Sequence, residues 1–290
     1  MRYLLLSDLH SNDEALSAVL ARVRRKKLDR VVCLGDFVGY AADPNKVLDK
    51  IRTLPRPAVS IRGNHDKVVS GVDSGEMFNA PALLAARWTA ERLSKENLEF
   101  LRRLPCGPVL VDETFAICHG SPLDEDAYIF SDWDAQMNFV HMDRVAPSVN
   151  VSFFGHSHIP SIFTLASDGI LVEAVRGSRR KLFLEPGRRY LVNPGSVGQP
   201  RDRNPRASYA IFDSEERTVT FDRVPYDVKT ARQKVLRAGL PTILGDRLLL
   251  GLGRDSPAAF KGLQGLSTPG LQNLKNAVHD AEIGETLFCI

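Results

Sequence analysis

Cysteine is scarce in this sequence, and the few cysteines present are irregularly spaced. The 290 residues include four, Cys33, Cys106, Cys118 and Cys289, and none of them forms a CxxC pair. This argues against a disulfide framework and against a cysteine-rich structural zinc site. Two of the four lie in apolar, strand-like runs, which is typical of reduced, buried thiols in a cytosolic protein.

Long hydrophobic runs are absent as well. No segment reaches the length of uncharged sequence that a membrane span requires, and the apolar run in MRYLLLSDLH is interrupted by Asp8. That run is too short for a signal peptide. We therefore expect a soluble, cytoplasmic protein with no membrane partner.

The sequence also lacks an excess of charge of one sign. It contains 38 Lys and Arg against 35 Asp and Glu, which gives a formal net charge of +3. This small excess suits an anionic substrate, but it gives no sign of the continuous basic groove that a nuclease needs. Nucleic acid is therefore not an expected partner. With 43% apolar and 25% charged residues, the composition is that of an ordinary globular protein.

The first hundred or so residues contain strand-like and helix-like patterns in alternation. Short apolar runs at 3–6, 31–35 and 58–61 predict strands, while apolar residues at helical spacing predict helices over 13–27 and 45–54. Residues 81–104 predict two further helices, with a break near 93–96. Such alternation favours parallel strands with helices on the faces of the sheet.

The second half contains short strand-like runs separated by turn residues, and it predicts a second, mostly antiparallel sheet with a helix at 135–145. No linker separates the halves, so we predict an α/β fold in which a two-sheet β-sandwich is flanked by helices. The predicted domain covers 1–226. A helical extension, 227–290, is expected to pack on the domain or to trail it. For its last part, 256–290, two alternatives are contacts in a homo-oligomer and the covering of a sheet edge. The predicted second-half strands are 114–120, 151–158, 161–165, 181–185, 189–196, 207–213 and 218–224.

Small polar groups follow the predicted strands at the same structural position. Five separate segments supply them, and the ends of such strands converge on one crevice in open α/β sheets. Any one histidine among them is more often a surface or packing residue, but together they are the ligand stock for two transition-metal ions. Imidazole-rich ligation argues against Mg²⁺ or Ca²⁺ alone. The groups are Asp8, His10, Asp36, Asn64, His65, His119, His156 and His158.

The motifs DLH, GDFVG, GNHD, CHG and GHSH occur in this order, and together they resemble the signature blocks of the calcineurin-like metallophosphoesterase superfamily. The blocks span roughly residues 1 to 200. The later segment NPGSVGQPRDRNPRASYAIFD is similar to the sequence that closes the domain in the bacterial and archaeal small phosphodiesterase branch. The resemblance implies an αββα fold, in agreement with the pattern-based prediction.

Carried over residue by residue, the resemblance implies two divalent transition-metal ions bridged by Asp36. Candidates are Mn, Fe, Zn, Ni and Co, with Mn favoured. One ion would be held by Asp8, His10, Asp36 and His158, and the other by Asp36, Asn64, His119 and His156. His65 would be catalytic, donating a proton to the leaving oxygen or stabilising its charge. Asp66 is the candidate to orient His65, with a solvated turn carboxylate as the alternative.

These roles imply a dinuclear metal-dependent phosphoesterase in which a metal-bound hydroxide attacks phosphorus directly. The expected substrate is a small phosphorylated molecule, either a phosphodiester, a phosphomonoester or a nucleotide phosphoanhydride. Two alternatives remain open at this point. One is a non-catalytic scaffold with this fold for protein–protein interaction, and the other is a serine/threonine protein phosphatase.

Two further segments bear on the site, the GDFVG motif and the loop that contains Arg201, Arg203 and Arg206. Many members of the superfamily have Asp at the end of the GDxxD block, where this chain has Gly39. A carboxylate hydrogen bond to the catalytic histidine must therefore be absent or supplied by another group. Arg201, Arg203 and Arg206 could clamp a phosphate, the alternative being a solvated turn, and Arg201 is the favoured substrate-binding residue.

Overall fold

The computed structural model describes residues 1–55 and 58–253, which contain twelve strands and eight helices. The strands are β1 (Arg2–Leu6), β2 (Arg30–Cys33), β3 (Ala58–Ser60), β4 (Val109–Val111), β5 (Phe115–Ile117), β6 (Val151–Phe153), β7 (Ser161–Ala166), β8 (Gly169–Ala174), β9 (Arg179–Phe183), β10 (Arg189–Asn193), β11 (Ala207–Asp213) and β12 (Thr218–Val224). The helices are α1 (Asp13–Val23), α2 (Pro44–Arg52), α3 (Asn64–Ser70), α4 (Ala80–Ala90), α5 (Lys95–Arg103), α6 (Asp132–Val145), α7 (Val228–Arg237) and α8 (Thr242–Leu250).

The strands form two mixed sheets of six. The first has the order β3-β2-β1-β11-β12-β9 and the second β4-β5-β6-β10-β7-β8. The prediction of a two-sheet sandwich flanked by helices is therefore confirmed. The prediction that the second half builds a sheet of its own is wrong, because β9, β11 and β12 join the first sheet through antiparallel pairing. The break between two helices before residue 104 is confirmed by α4 and α5.

Successive residues of β1 enter different hydrophobic layers, as the period of two of a strand requires. Leu4 and Leu6 pack among the residues of α1 and α2, whereas Tyr3 and Leu5 pack between the two sheets. On the outer face of the second sheet, Phe139 of α6 belongs to a separate apolar cluster. The order of layers is therefore helix, sheet, sheet, helix, and strands buried on both faces hold the loops at their ends in fixed positions.

Residues Met1–Leu252 form one compact unit that includes α7 and α8. Val235 and Leu244 from these helices pack in a cluster with Tyr40 and Ala85. The sequence-based domain boundary at 226 stays a prediction, and the helix predicted at 271–281 lies outside the described residues. In the part of the chain that is described, no helix is long and apolar enough to cross a membrane.

Candidate metal centre and active site

The polar groups predicted from the sequence meet at one end of the two sheets. In the first sheet β1, β2 and β3 run parallel, and Asp8, Asp36 and Asn64 follow their carboxyl ends. In the second sheet β5 and β6 are also parallel, and His119 and His156 follow them. Parallel strands place their carboxyl ends at the same edge, so all of these loops line one crevice.

Four side chains form the first group of potential ligands: Asp8, His10, Asp36 and His158. Each offers one ligand atom, these atoms lie within 4.8 Å of one another, and all four residues are buried. The Nε2 atom of His10 lies 3.4 Å from Asp36 Oδ2, and Nε2 of His158 lies 3.3 Å from Asp8 Oδ1. The structure therefore brings together every residue that the resemblance assigns to the first ion.

The second group contains Asp36, His119 and His156, again within 4.8 Å and buried. Nε2 of His119 lies 3.5 Å from Asp36 Oδ2 and 3.1 Å from Oδ1 of Asn64, the fourth predicted ligand of this group. Asp36 thus belongs to both groups, and the same Oδ2 atom faces an imidazole of each. This is the position that a carboxylate shared by two cations would take.

The hydrogen bonds of the imidazoles test whether these groups fit a cation. Nδ1 of His10, His119 and His158 lies 3.0, 2.7 and 2.6 Å from the backbone carbonyl oxygens of Val38, Leu34 and Gln199. A carbonyl can only accept, so each Nδ1 carries a proton, and each ring presents the lone pair of Nε2 whenever that second nitrogen is unprotonated.

The consequence is clearest where two rings face each other. Nε2 of His10 and Nε2 of His158 are 3.1 Å apart. Two lone pairs at this separation repel, and a cation between them removes the repulsion. Imidazole nitrogen and carboxylate oxygen are ligands of the first-row transition metals, and hydrogen bonds at the second ring nitrogen are typical of metal-binding histidines. The residues present therefore fit transition-metal ions.

The backbone at these positions is unusual. Asp8, His10, Asp36, His156 and His158 all have φ between 45° and 63°, in the left-handed region. Residues other than glycine seldom adopt this conformation, and strained backbone is concentrated at functional sites. The five residues are all the members of the two ligand groups except His119.

Burial and mutual charge determine the titration of the groups. Burial raises the pKa of Asp8 to about 6. Burial also disfavours the charged form of Asp36, but the imidazoles of His119 and His65 outweigh it and hold the pKa of Asp36 well below its usual range. Against the effect of burial, the carboxylate of Asp36 raises the pKa of His119 to about 10. A metal ion would compete for the proton-binding nitrogen of His119.

His65 lies beside both groups and is not a member of either. Its backbone N–H donates to Asp36 Oδ1 at 2.9 Å, and its ring centroid is 4.9, 4.3 and 4.5 Å from those of His10, Tyr40 and Phe78. Burial lowers the pKa of His65 to about 4, with the charge of Asp36 opposing the shift. The His65 ring therefore packs against three aromatic neighbours, His10 roughly perpendicular to it and Tyr40 and Phe78 tilted.

The absence of a carboxylate at position 39 leaves a visible effect on His65. Nδ1 of His65 is buried and has no hydrogen-bond partner. A Cβ atom at Gly39 would lie 2.4 Å from that Nδ1, and Gly39 has a φ of +89°. No group in the described part of the chain replaces the carboxylate, because the histidine ring itself occupies the space beside Gly39.

The prediction that Asp66 orients His65 is wrong in this structure. The Asp66 carboxylate accepts hydrogen bonds from the backbone N–H groups of Gly63 at 2.9 Å and Val38 at 3.2 Å. Asp66 is the third residue of α3, so its carboxylate caps the first turn of the helix that begins at Asn64. The GNHD segment, predicted to be a loop, is therefore a helix start, and Asp66 ties it to the GDFVG loop.

Arg201 lies at the mouth of the crevice and is partly buried. Its guanidinium donates to Gln199 Oε1 at 3.1 Å and to the Tyr40 hydroxyl at 3.4 Å, and Tyr128 lies near enough to raise the pKa of Arg201. Burial and the charge of Arg201 hold the pKa of His158 well below its usual range. Tyr40 and Tyr128 were not among the predicted site residues, although each follows a motif closely, GDFVG and CHG respectively.

Comparison with known proteins agrees with this geometry. Residues 1–217 match the model of the calcineurin-like phosphoesterase superfamily domain. The chain is 38% identical over 253 residues to the uncharacterised protein MJ0912 of Methanocaldococcus jannaschii, a match that covers 85% of this chain and 96% of the relative.

Solved structures are similar over the same region. A metallophosphoesterase from Sphaerobacter thermophilus superposes with a TM-score of 0.75 at 37% identity, over 87% of this chain and 99% of that one. The hypothetical protein PH1004 from Pyrococcus horikoshii OT3 shares the fold with a TM-score of 0.71 at 22% identity, again over 87% and 99%. The chain therefore belongs to the calcineurin-like phosphoesterase superfamily.

Proposed function

We propose that the protein hydrolyses small phosphate esters at a dinuclear metal centre, with phosphodiesters preferred over monoesters. The observation that carries the proposal is the pair of ligand groups that share Asp36, together with the facing Nε2 atoms of His10 and His158. The preference for diesters rests on the resemblance of the NPGSVGQPR segment to the small phosphodiesterase branch.

Two divalent ions, with Mn favoured, would be held in the two groups, where they would polarise phosphoryl oxygens and lower the pKa of a water molecule. The chain itself fixes the ligands before any ion arrives. Backbone carbonyls set the tautomers of His10, His119 and His158, and the buried Asp36 accepts from the backbone of His65. Such preorganisation avoids a reorganisation cost during the reaction.

His65 is proposed to donate a proton to the leaving oxygen or to stabilise the charge that develops there. The ring is neutral at pH 7 because burial lowers its pKa to about 4. The negative charge of a bound phosphate favours the protonated form of a neighbouring imidazole, so substrate binding would raise this pKa. The contacts with Tyr40 and Phe78 restrict the ring to one orientation.

Arg201 is proposed to hold a phosphate oxygen at the mouth of the site. Its charge acts on Asp8, His10 and His158 of the first ligand group, so an anion held at this group would lie within reach of the field of the guanidinium. Hydrogen bonds to charged groups contribute about 1.5–3 kcal/mol. We therefore expect Arg201→Ala to raise KM about 10- to 100-fold with a smaller change in kcat, and Arg201→Lys to restore only part of the loss.

The matched control is Arg203→Ala, because Arg203 lies in the same loop and is exposed. Steady-state kinetics on bis(p-nitrophenyl) phosphate measures all three variants. Equal KM values for Arg201→Ala and Arg203→Ala would contradict the proposal that Arg201 binds the substrate phosphate.

The proposed function is tested by a metal-supplemented activity screen. Purified protein is treated with chelator, reloaded with Mn²⁺, Fe²⁺, Zn²⁺, Ni²⁺ or Co²⁺, and assayed on p-nitrophenyl phosphate, its bis ester and dinucleoside polyphosphates. We expect turnover with at least one metal and none after chelation. Metal-loaded protein that binds two ions but hydrolyses none of these substrates would favour the scaffold alternative, and full activity after chelation would contradict the metal mechanism.

A further inference from the structure

Three aromatic rings form a row that leads outward from the metal centre. The Tyr128 ring stacks on the His156 imidazole, with centroids 4.0 Å apart and planes at 23°. The Phe130 ring stacks on Tyr128 at 5.1 Å and 14°. Among the described residues no ring contact joins Phe130 to His156, so Tyr128 lies in the middle and Phe130 is the outermost ring.

The two outer rings are exposed although they are apolar and next to a site. Tyr128 is 45% exposed and Phe130 57%, whereas Ile129 between them is 1% exposed. Side chains two positions apart in an extended segment point the same way, so Ile129 anchors the segment in the core and both rings face outward. We call Tyr128 and Phe130 the aromatic platform.

The loop that carries the platform is tied down along its length. Lys67 of α3 pairs with Glu125 at 3.1 Å and with Asp126 at 2.5 Å. The backbone N–H of Phe130 donates to Asp134 Oδ2 at 3.0 Å, which couples the platform to the capping box of α6. The backbone of the loop is therefore held in place before any ligand binds, and a preformed surface binds with a smaller entropic cost.

We propose that the aromatic platform stacks the base of a nucleoside phosphate whose phosphate lies at the metal centre. The inference rests on the proposed function and names its substrate class. Base stacking on aromatic side chains is tolerant of sequence and favours planar groups. Tyr128 stacks on His156, so the platform adjoins the metal centre directly, and it lies near Arg201, the proposed phosphate clamp.

The spatial order supports a nucleotide over a simple alkyl ester. Phe130 is separated from His156, a candidate metal ligand, by the Tyr128 ring, so a base stacked on Phe130 and a phosphate at the metals would need a spacer such as a sugar between them. An alkyl ester would leave the outer ring in water. The guanidinium of Arg201 supplies the positive charge that complements the phosphate.

The test compares two diesters that release the same p-nitrophenolate. One is thymidine 5′-(p-nitrophenyl) phosphate, and the other is methyl p-nitrophenyl phosphate, which has no base. In Mn²⁺-loaded protein, Phe130→Ala is expected to lower kcat/KM for the thymidine ester about 10- to 100-fold, the size of a lost stacking contact. The methyl ester should change less than about twofold, and Phe130→Trp should retain the preference.

Phe183→Ala is the matched control, because Phe183 is a 63% exposed phenylalanine on β9, at the edge of the first sheet. If Phe130→Ala lowered kcat/KM equally for both esters, or for neither, the proposal that the platform stacks a base would be refuted. If wild-type protein hydrolyses neither ester, the proposed activity on diesters fails, and calorimetric titration with thymidine 5′-monophosphate then tests base binding by the platform without any turnover. Binding weakened by Phe130→Ala but not by Phe183→Ala would support it, and equal binding by all three proteins would refute it.

Discussion

Asp36→Asn is expected to lose most of the bound metal, and turnover is expected to fall with it to background. The substitution keeps the shape of the side chain and an acceptor for the His65 N–H, but it removes the charge that both ligand groups share. Changing a residue that merely supports a metal ligand already weakens metal binding about 10- to 100-fold. Loss of the shared carboxylate should therefore weaken binding by more than about 100-fold.

Elemental analysis after dialysis measures the metal content, and thermal melting shows whether the variant remains folded. Asp168→Asn is the control, because Asp168 is an exposed carboxylate in the turn between β7 and β8. A folded Asp36→Asn protein with two ions per chain and wild-type turnover would contradict the shared role of Asp36.

His65→Asn should give the opposite combination of results. His65 belongs to neither ligand group, so metal content should stay close to that of the wild type. The rate should fall about 10²- to 10⁴-fold, the range usual for a general acid. The loss should be smaller for a p-nitrophenyl ester than for an alkyl ester, because p-nitrophenolate needs little protonation when it leaves.

Metal analysis combined with kinetics on good and poor leaving groups separates three roles for His65. A variant stripped of metal would make His65 a ligand. A variant with full metal and equal losses on both substrates would make it an electrostatic stabiliser. Retained metal with unequal losses is the result expected of a proton donor.

The positions of the site residues could be predicted because each residue comes shortly after the carboxyl end of a predicted strand. Asp8, Asp36 and Asn64 follow three parallel strands of one sheet, and such strands must end at a common edge. The assignment of His65 and Asp66 was harder, because both lie in one tetrapeptide. Their difference depends on α3, which begins at Asn64 and gives Asp66 backbone donors to accept from.

The partition of strands between the sheets could not be predicted from local pattern. The strands β11 and β12 show apolar runs like those of β10, yet β11 pairs with β1 and β12 with β11 in the first sheet, while β10 pairs with β6 in the second. Strand pairing joins segments far apart in sequence, and a run of apolar residues does not determine which strand it will pair with.

The aromatic surroundings of the site were missed for a related reason. Tyr40 contacts His65 where the loops after β2 and β3 meet, and Tyr128 contacts His156 where the loops after β5 and β6 meet. The unpartnered Nδ1 of His65 beside Gly39 is likewise a tertiary feature. Here the departure from the superfamily pattern was visible in the sequence, whereas its consequence for the histidine was not.

The central claim is that one chain holds two metal ions that share Asp36. X-ray diffraction at the manganese absorption edge, on crystals of Mn²⁺-loaded protein, tests it directly. The account predicts two anomalous peaks about 3.5–4 Å apart. One should be surrounded by Asp8, His10, Asp36 and His158, and the other by Asp36, Asn64, His119 and His156. A single peak, or two peaks of which only one contacts Asp36, would contradict it.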